Sequence, residues 1–199
     1  MTSYLQQDNC WYPRRHDFLE TPEGLLFAVV ADGVEDERAL CFLRYQRCPT
    51  GLQKVDTRCA NQLLAEQHPE FLFHCVSRDA SLHGVPQSRV VRHYEPRVRA
   101  AELMASGVNS LVGQRCRRHL QLLASAGLES SNIGVTGTLL LGAETDRSDI
   151  DLVVYGDEAF QRARDVIAQA ASGSAISPLC EEDWIAAHRR RGCELTLEE

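Results

Sequence analysis

Lysine is almost absent from this chain, and its cysteines do not stand in pairs. Lys54 is the single lysine, so the positive charge comes from arginine, whose planar guanidinium suits bidentate contacts with phosphate. A GC-rich genome would give the same bias. None of the eight cysteines stands in a Cys-x-x-Cys pair. This absence argues against a zinc ribbon and against a thioredoxin-like redox site.

Long apolar segments are also missing. Residues 1–15 contain no apolar core of signal-peptide length. Nowhere does an apolar run approach the roughly 18 residues that a membrane-spanning helix needs. These absences predict a cytoplasmic protein with reduced thiols and no membrane partner.

Acidic residues outnumber basic ones. The chain has 28 acidic and 21 basic side chains and a net charge of −7, which disfavours a globally basic nucleic-acid binder but allows a local basic patch. Solvated helix faces are the favoured interpretation of such patches, and a phosphate-tracking surface is the alternative. Only Tyr94 stands near the first patch for base stacking. The two arginine stretches are Arg89, Arg92, Arg97, Arg99, Arg115, Arg117 and Arg118, and then Arg189, Arg190 and Arg191.

The first half of the chain, residues 1–105, predicts a small α+β unit of unknown role. Residues 1–24 are polar and Pro-punctuated, which indicates an irregular entry. A hairpin of strands is predicted within 24–45. Asp56 is placed to cap a helix that ends at His68-Pro69. Two further strands are predicted, at 70–75 and 89–94.

The second half, residues 106–199, predicts a separate domain after the boundary at Glu95-Pro96. Apolar residues at helical spacing predict an amphipathic helix over 109–125, with Gly127 as its stop. The chain as a whole therefore belongs to the α+β class. The elements predicted after Gly127 are a strand at 132–135, a short helix at 137–141, a strand at 149–155, and helices at 158–171 and 181–191.

Two carboxylates are predicted to share one face of the strand at 149–155. Because strand side chains alternate, Asp149 and Asp151 point the same way, about 6.6 Å apart along the strand. Carboxylates this close repel each other and call for a compensating cation. Mg²⁺, or Mn²⁺ in its place, takes oxygen ligands of this kind together with substrate phosphates.

A phosphate-binding element is predicted at Gly137-Thr138, where an apolar strand gives way to a helix. A helix start offers N–H groups that bind anions. Gly137 has no side chain to keep phosphates away from the backbone, and the Thr138 hydroxyl can donate one more hydrogen bond. Phosphoryl and nucleotidyl transfer need this combination of a phosphate cradle and a metal site.

This pattern resembles the signature of the DNA-polymerase-β nucleotidyltransferase superfamily: Gly-Ser, about ten residues, then Asp-x-Asp inside an apolar strand. Gly137 and Thr138 stand at the Gly-Ser positions, and Asp149 and Asp151 at the Asp-x-Asp positions. The resemblance covers about residues 108–185 and implies a mixed sheet flanked by helices. It also implies Mg²⁺-dependent transfer of a nucleoside monophosphate from a nucleoside triphosphate to an acceptor, which is an RNA, a protein or a small molecule. Arg147 and Ser148, on the loop before Asp149, are expected to contact phosphate.

The whole chain also resembles a group of uncharacterised predicted nucleotidyltransferases of archaea and cyanobacteria. The stretches that carry this likeness are RHDFLETPEGLLFAVV and IGVTGTLLLGAETDRSDIDLVVYG. Two departures from the superfamily pattern stand out. Thr138 replaces the serine, which keeps the hydroxyl. The third carboxylate of active members has no clear counterpart, and Glu194 is a weak candidate. Two alternatives therefore stay open: a catalytically decayed nucleotide-binding or regulatory module, and an RNA-binding accessory protein.

Overall fold

The structure is a computed structural model that describes residues 11–105, 109–173 and 176–191. The described elements are, in chain order, strands β1 (Phe18–Glu20), β2 (Leu25–Glu35), β3 (Arg38–Cys48) and β4 (Gly51–Lys54), helix α1 (Thr57–Gln67), strands β5 (Leu72–Cys75), β6 (Ala80–Pro86) and β7 (Arg92–Tyr94), helices α2 (Pro96–Ala105) and α3 (Leu111–Ser125), strand β8 (Ile133–Thr136), helix α4 (Gly137–Leu141), strand β9 (Asp151–Val154), and helices α5 (Asp157–Ser172) and α6 (Glu181–Arg191). The predicted α+β class is confirmed.

The chain divides into two compact units, residues 1–155 and 156–199. The boundary predicted at 105/106 therefore falls inside the first unit. Pro96 does not separate two domains: it begins α2, as proline commonly does at the first helical position. Helix α2 packs on β8 and α3, which joins the two halves of the sequence. The second unit contains α5 and α6, whose bounds agree closely with the helices predicted at 158–171 and 181–191.

A seven-stranded antiparallel sheet forms the larger part of the first unit, in the order β5-β6-β3-β2-β1-β7, with β4 also paired to β3. The hairpin predicted within 24–45 is confirmed as β2 and β3. Asp36 and Glu37 make its turn, and both have a positive φ, as the favoured two-residue hairpin turns require. Helix α1 is confirmed, and the Asp56 side chain accepts a hydrogen bond from the amide of Cys59 at 2.9 Å.

Each face of this sheet is covered by a different helix. Helix α1 packs on one face through Ala60 and Leu64, against a core that includes Phe27 and Leu43. The opposite face carries Phe18, Leu26 and Tyr94, and Leu140 of α4 is buried among them. The sheet therefore supports α4, the helix that begins with the predicted phosphate-binding residues.

A β-bulge at Arg44 decides which side chain of β3 faces α4. Leu26 pairs with Tyr45 whereas its neighbour Phe27 pairs with Leu43, so Arg44 is an extra residue in β3. An extra residue reverses the alternation of the side chains that follow it. Tyr45 consequently joins the face of Leu26 and packs against the cluster that contains Leu140.

Among the described residues, the strands of the second half pair only with each other. β8 and β9 form an antiparallel ladder in which Ile133 lies opposite Val154 and Thr136 lies opposite Asp151. The described residues contain no parallel pairing of the kind that a mixed sheet would show. Helix α3 packs on α2, and it begins two residues later than predicted because Ser110 caps it by accepting from the amide of Gly113 at 3.1 Å.

Candidate functional site

Gly137 and Asp151 fit together so closely that a side chain at position 137 is excluded. Gly137, the first residue of α4, has a φ of +68°. A Cβ atom added to it would lie 2.5 Å from Oδ2 of Asp151. Glycine is therefore required twice, once by the left-handed backbone and once by the carboxylate. The sequence predicted that Gly137 leaves room for phosphate, whereas the structure shows the Asp151 carboxylate against it.

The ladder between β8 and β9 sets this contact. Thr136 is the last residue of β8 and lies opposite Asp151, so Gly137 follows directly where the chain turns into α4. Because β8 ends there, β9 has no partner before Asp151. The strand predicted to start at Asp149 therefore starts two residues later, at Asp151. Both carboxylates are exposed, with Asp149 on the segment that enters β9.

The loop between α4 and Asp149 is organised by its own hydrogen bonds. The amide of Ser148 donates to the carbonyl of Thr145 at 2.9 Å, and the Ser148 hydroxyl accepts from the amide of Thr145, also at 2.9 Å. Ser148 thus closes a turn, and Arg147 is exposed within it. Phosphate contacts from Arg147 and Ser148 remain predictions. Thr138 is half-exposed in the first turn of α4, as its predicted role requires.

Side chains from α2 and α3 form hydrogen bonds with α4 and with the chain that follows it. Arg99 of α2 donates from Nε to the carbonyl of Leu139 at 2.8 Å. Ser110, the cap of α3, donates from its hydroxyl to Oε1 of Glu144 at 2.9 Å. Helix α4 is thus tied to α2 through Leu139, and the chain that follows α4 is tied to α3 through Glu144.

Tyr45 lies near the candidate site, and the sequence did not single it out. Its ring centroid lies 6.0 Å from that of Phe18, and it packs against the same buried cluster as Leu141 of α4. Burial raises the pKa of the Tyr45 phenol, Arg44 opposes this, and the charge of Asp151 raises the pKa further. Tyr45 therefore keeps its proton at neutral pH and lies within electrostatic reach of Asp151. Simple alternation along β3 would have placed it on the other face.

The donor set suits one hard cation bound together with phosphates. Asp149 and Asp151 supply carboxylate oxygens, and Mg²⁺ is commonly held by one or two carboxylates with waters and substrate phosphates. Gly137 keeps the Asp151 carboxylate beside the start of α4, where the phosphates are expected. Among the described residues, no three His, Cys, Asp or Glu side chains form a metal-binding group. Glu194, the weak candidate for a third carboxylate, lies outside the described residues.

Four arginines of the first basic stretch contact other residues of the first unit: Arg89 before β7, Arg92 in β7, and Arg97 and Arg99 in α2, two through ion pairs and two through aromatic rings. Arg89 forms an ion pair with Glu23, and Arg99 lies 3.1 Å from Glu102. Arg115 and Arg118 are exposed on α3, and Arg189 is exposed on α6. The side chains of Arg190 and Arg191 lie outside the described part of the chain. This arrangement favours packed or solvated positions over a continuous phosphate-tracking surface.

In the part of the chain that the structure describes, no helix has the length and apolarity needed to cross a membrane. Comparison with known proteins adds one relative: an uncharacterised protein of Methanocaldococcus jannaschii is 29% identical over 202 residues, which cover 92% of this chain. The chain spans 59% of the length of that relative. No protein-family model matches the chain. No solved structure matches it significantly either.

Proposed function

We propose that this chain is a Mg²⁺-dependent nucleotidyltransferase that moves a nucleoside monophosphate from a nucleoside triphosphate to an acceptor. The observation that carries this proposal is the fit of Gly137 against Asp151, in which a Cβ atom would lie 2.5 Å from Oδ2. A buried strand, a glycine turn and a strand that starts with a carboxylate are the parts that nucleotidyl transfer requires. A cytoplasmic location with reduced thiols remains a prediction.

Each residue of the site has a separate task in this proposal. Asp149 and Asp151 hold the metal ion, which neutralises phosphate charge when bound. Gly137 permits the close approach of Asp151, and Thr138 donates a hydrogen bond to a phosphate oxygen. Tyr45, protonated at neutral pH, donates from the wall formed by the large sheet. The large sheet thus belongs to the site and is not merely an appended unit.

A decayed site that binds nucleotide without transfer is the second candidate. The observation that favours it is the lack of a third carboxylate near Asp149 and Asp151 among the described residues. Active members of the superfamily it resembles use that third ligand, and a second metal ion would be held poorly without it. The two candidates differ in one product, a covalently nucleotidylated acceptor. An RNA-binding role stays a prediction, which a flat salt dependence of binding would contradict.

The test is to incubate the full chain with Mg²⁺ and with each α-labelled nucleoside triphosphate in turn. A cell extract supplies the acceptors. We expect label on a discrete RNA, protein or small molecule, and none with Asp149→Ala/Asp151→Ala. Asp146→Ala is the matched control, because Asp146 is an exposed carboxylate of the same loop that has no assigned role. Nucleotide binding without label would favour the decayed module. Label that persists in the double variant would refute the assignment of the aspartates.

Tyr45→Phe is expected to weaken Mg²⁺–nucleoside triphosphate binding about three- to tenfold while the protein stays folded. The change removes one hydroxyl, and a hydrogen bond of this kind contributes about 0.5–1.5 kcal/mol. Isothermal titration calorimetry of the variant against the unchanged protein measures the effect. Ser125→Ala is the control, because it also removes one hydroxyl and Ser125 is exposed at the end of α3, outside the cluster that contains Leu140. Equal affinities for Tyr45→Phe and the unchanged protein would remove Tyr45 from the site.

A further inference from the structure

A cavity lies in the first unit, beyond the end of the β8–β9 ladder that is farther from Asp151. Its volume is about 340 Å³, which is within the range of small-ligand pockets. Tyr155, one of its lining residues, continues β9, and its amide donates to the carbonyl of Asn132 at 2.9 Å. Tyr155 lies four positions after Asp151, about 13 Å along a strand. The cavity is therefore distinct from the candidate metal site but lies on the same strand.

Aromatic rings form much of its wall. Trp11, Tyr12 and Tyr155 all line the cavity, and Tyr12 is 58% exposed. The ring of His93 meets Trp11 edge to face at 6.5 Å, which holds the indole in place. Rings arranged around a cavity of this size suit a flat aromatic ligand that stacks on one of them.

Within the described residues, two guanidinium groups at the cavity have no acidic partner. The side chains of Arg14 and Arg97 form no hydrogen bond or ion pair with another residue of the described part of the chain. The Arg97 guanidinium stacks on the Tyr155 ring, with Cζ at 3.9 Å from the centroid, and its buried Nε has no partner. This stacking fixes the direction in which Arg97 presents its remaining N–H groups.

The carboxylates at the cavity leave these arginines available. Asp17 is buried, and its Oδ2 accepts from the amide of Arg14 at 2.8 Å and contacts Nε2 of His93 at 2.8 Å. Glu95 is exposed to solvent. The cavity thus combines aromatic surface with two cations whose N–H donors remain open to an anion.

We propose that this cavity binds a nucleotide, with its base against Trp11 and its phosphate against Arg14 and Arg97. The proposal that a nucleotide binds here depends only on the cavity. The additional proposal that this nucleotide, or the end of a nucleic acid, is the acceptor of the transfer rests on the proposed function. A phosphorylated aromatic ligand is the chemistry that satisfies both the open rings and the open guanidinium groups.

Trp11 allows a direct measurement. The chain has two tryptophans, so Trp184→Phe leaves Trp11 as the remaining fluorophore. In this background, without Mg²⁺, we expect saturable quenching by adenosine monophosphate or by a 5′-phosphorylated trinucleotide. Adenosine and ribose 5-phosphate are each expected to bind at least about tenfold more weakly, because each lacks one of the two recognised groups. Tighter binding of the trinucleotide would assign the cavity to a nucleic-acid end, and tighter binding of the mononucleotide to a free nucleotide.

Arg97→Gln and, separately, Arg14→Gln are expected to weaken this binding about tenfold or more, with unchanged circular dichroism. Arg115→Gln is the matched control, because Arg115 is exposed on α3 and outside the cavity. Asp149→Ala/Asp151→Ala should leave the quenching unchanged, so failure of the transfer assay and failure of this inference are separate results. Absence of saturable quenching by both ligands, or equal affinity in Arg97→Gln and Arg115→Gln, would overturn the proposal.

Discussion

Replacing Gly137 with alanine is expected to lower the free energy of unfolding by more than about 2 kcal/mol and to weaken Mg²⁺–nucleotide binding at least tenfold. A non-glycine residue with the left-handed φ of position 137 costs about 1–2 kcal/mol by itself. The new Cβ atom would also lie 2.5 Å from Oδ2 of Asp151, so the carboxylate must move. A displaced metal ligand weakens the site even where the chain still folds. Urea unfolding and titration calorimetry measure the two effects.

Gly142→Ala is the control that separates the two effects of Gly137→Ala, the backbone strain and the clash with Asp151. Gly142 has a φ of +65°, and no atom lies within 4 Å of the position of its Cβ. It also ends the same helix that Gly137 begins. The control should therefore lose only about 1–2 kcal/mol and keep its nucleotide affinity. If both variants lose affinity equally, the packing of Gly137 against Asp151 has no special role.

Acid is expected to destabilise the first unit through His83, by up to about 3 kcal/mol between pH 6.5 and pH 4. His83 is 1% exposed. Its Nδ1 accepts from the amide of Leu43 at 2.8 Å. The proton therefore resides on Nε2, which donates to Oδ1 of Asn61 at 2.9 Å. Burial lowers the pKa of His83 from 6.5 to about 4. Protonation of Nδ1 would also break the bond from Leu43.

The sign of this effect follows from the two pKa values. Between about pH 6.5 and 4 the unfolded chain binds a proton that the folded chain refuses, so the stability present above pH 6.5 is lost as the pH falls. Urea unfolding at several pH values should show a shallower pH dependence for His83→Gln, whose side chain does not titrate. His74→Gln is the control, because the His74 side chain is 57% exposed. Identical slopes for His83→Gln and the unchanged protein would contradict the prediction.

The sequence was sufficient where a local signal and the tertiary structure agree. Asp56 caps α1 as predicted, and the apolar spacing of α3 gave its helix within two residues. The turn into α4 at Gly137 was also predicted, because a glycine at the end of an apolar strand is a strong local signal. Predicting these elements does not require knowledge of residues that are distant in the sequence.

Other elements could not be predicted because distant parts of the chain determine them. β1 lies in a polar, Pro-punctuated segment and becomes a strand because β2 and β7 pair with its two edges. β6 contains Gly84 and ends at Pro86, both of which weaken a strand pattern. Cβ atoms are excluded at Gly84 by Arg38 and Phe73, each at 2.9 Å. The glycine that obscured the strand is thus required by its packing.

The candidate site was predicted only in part. Gly137, Thr138, Asp149 and Asp151 were predicted as a set, but the close approach of the Asp151 carboxylate to Gly137 was not. Tyr45 was missed because its direction depends on an extra residue in β3, which no pattern within the strand reveals. The compact units divide after Tyr155, and Pro96 opens a helix that packs on β8 within the first unit.

Because of the bulge at Arg44, a single position in β3 is especially informative when related sequences are aligned. A relative that lacks this residue would keep Leu43 under α1 but turn the next tyrosine away from α4. A single gap at this position would therefore distinguish chains whose tyrosine faces α4 from chains whose tyrosine faces the other side of the sheet. Substitutions elsewhere in the strand carry no such information. Whether one residue or none separates the counterparts of Leu43 and Tyr45 can thus be read from an alignment of related sequences, without any assay.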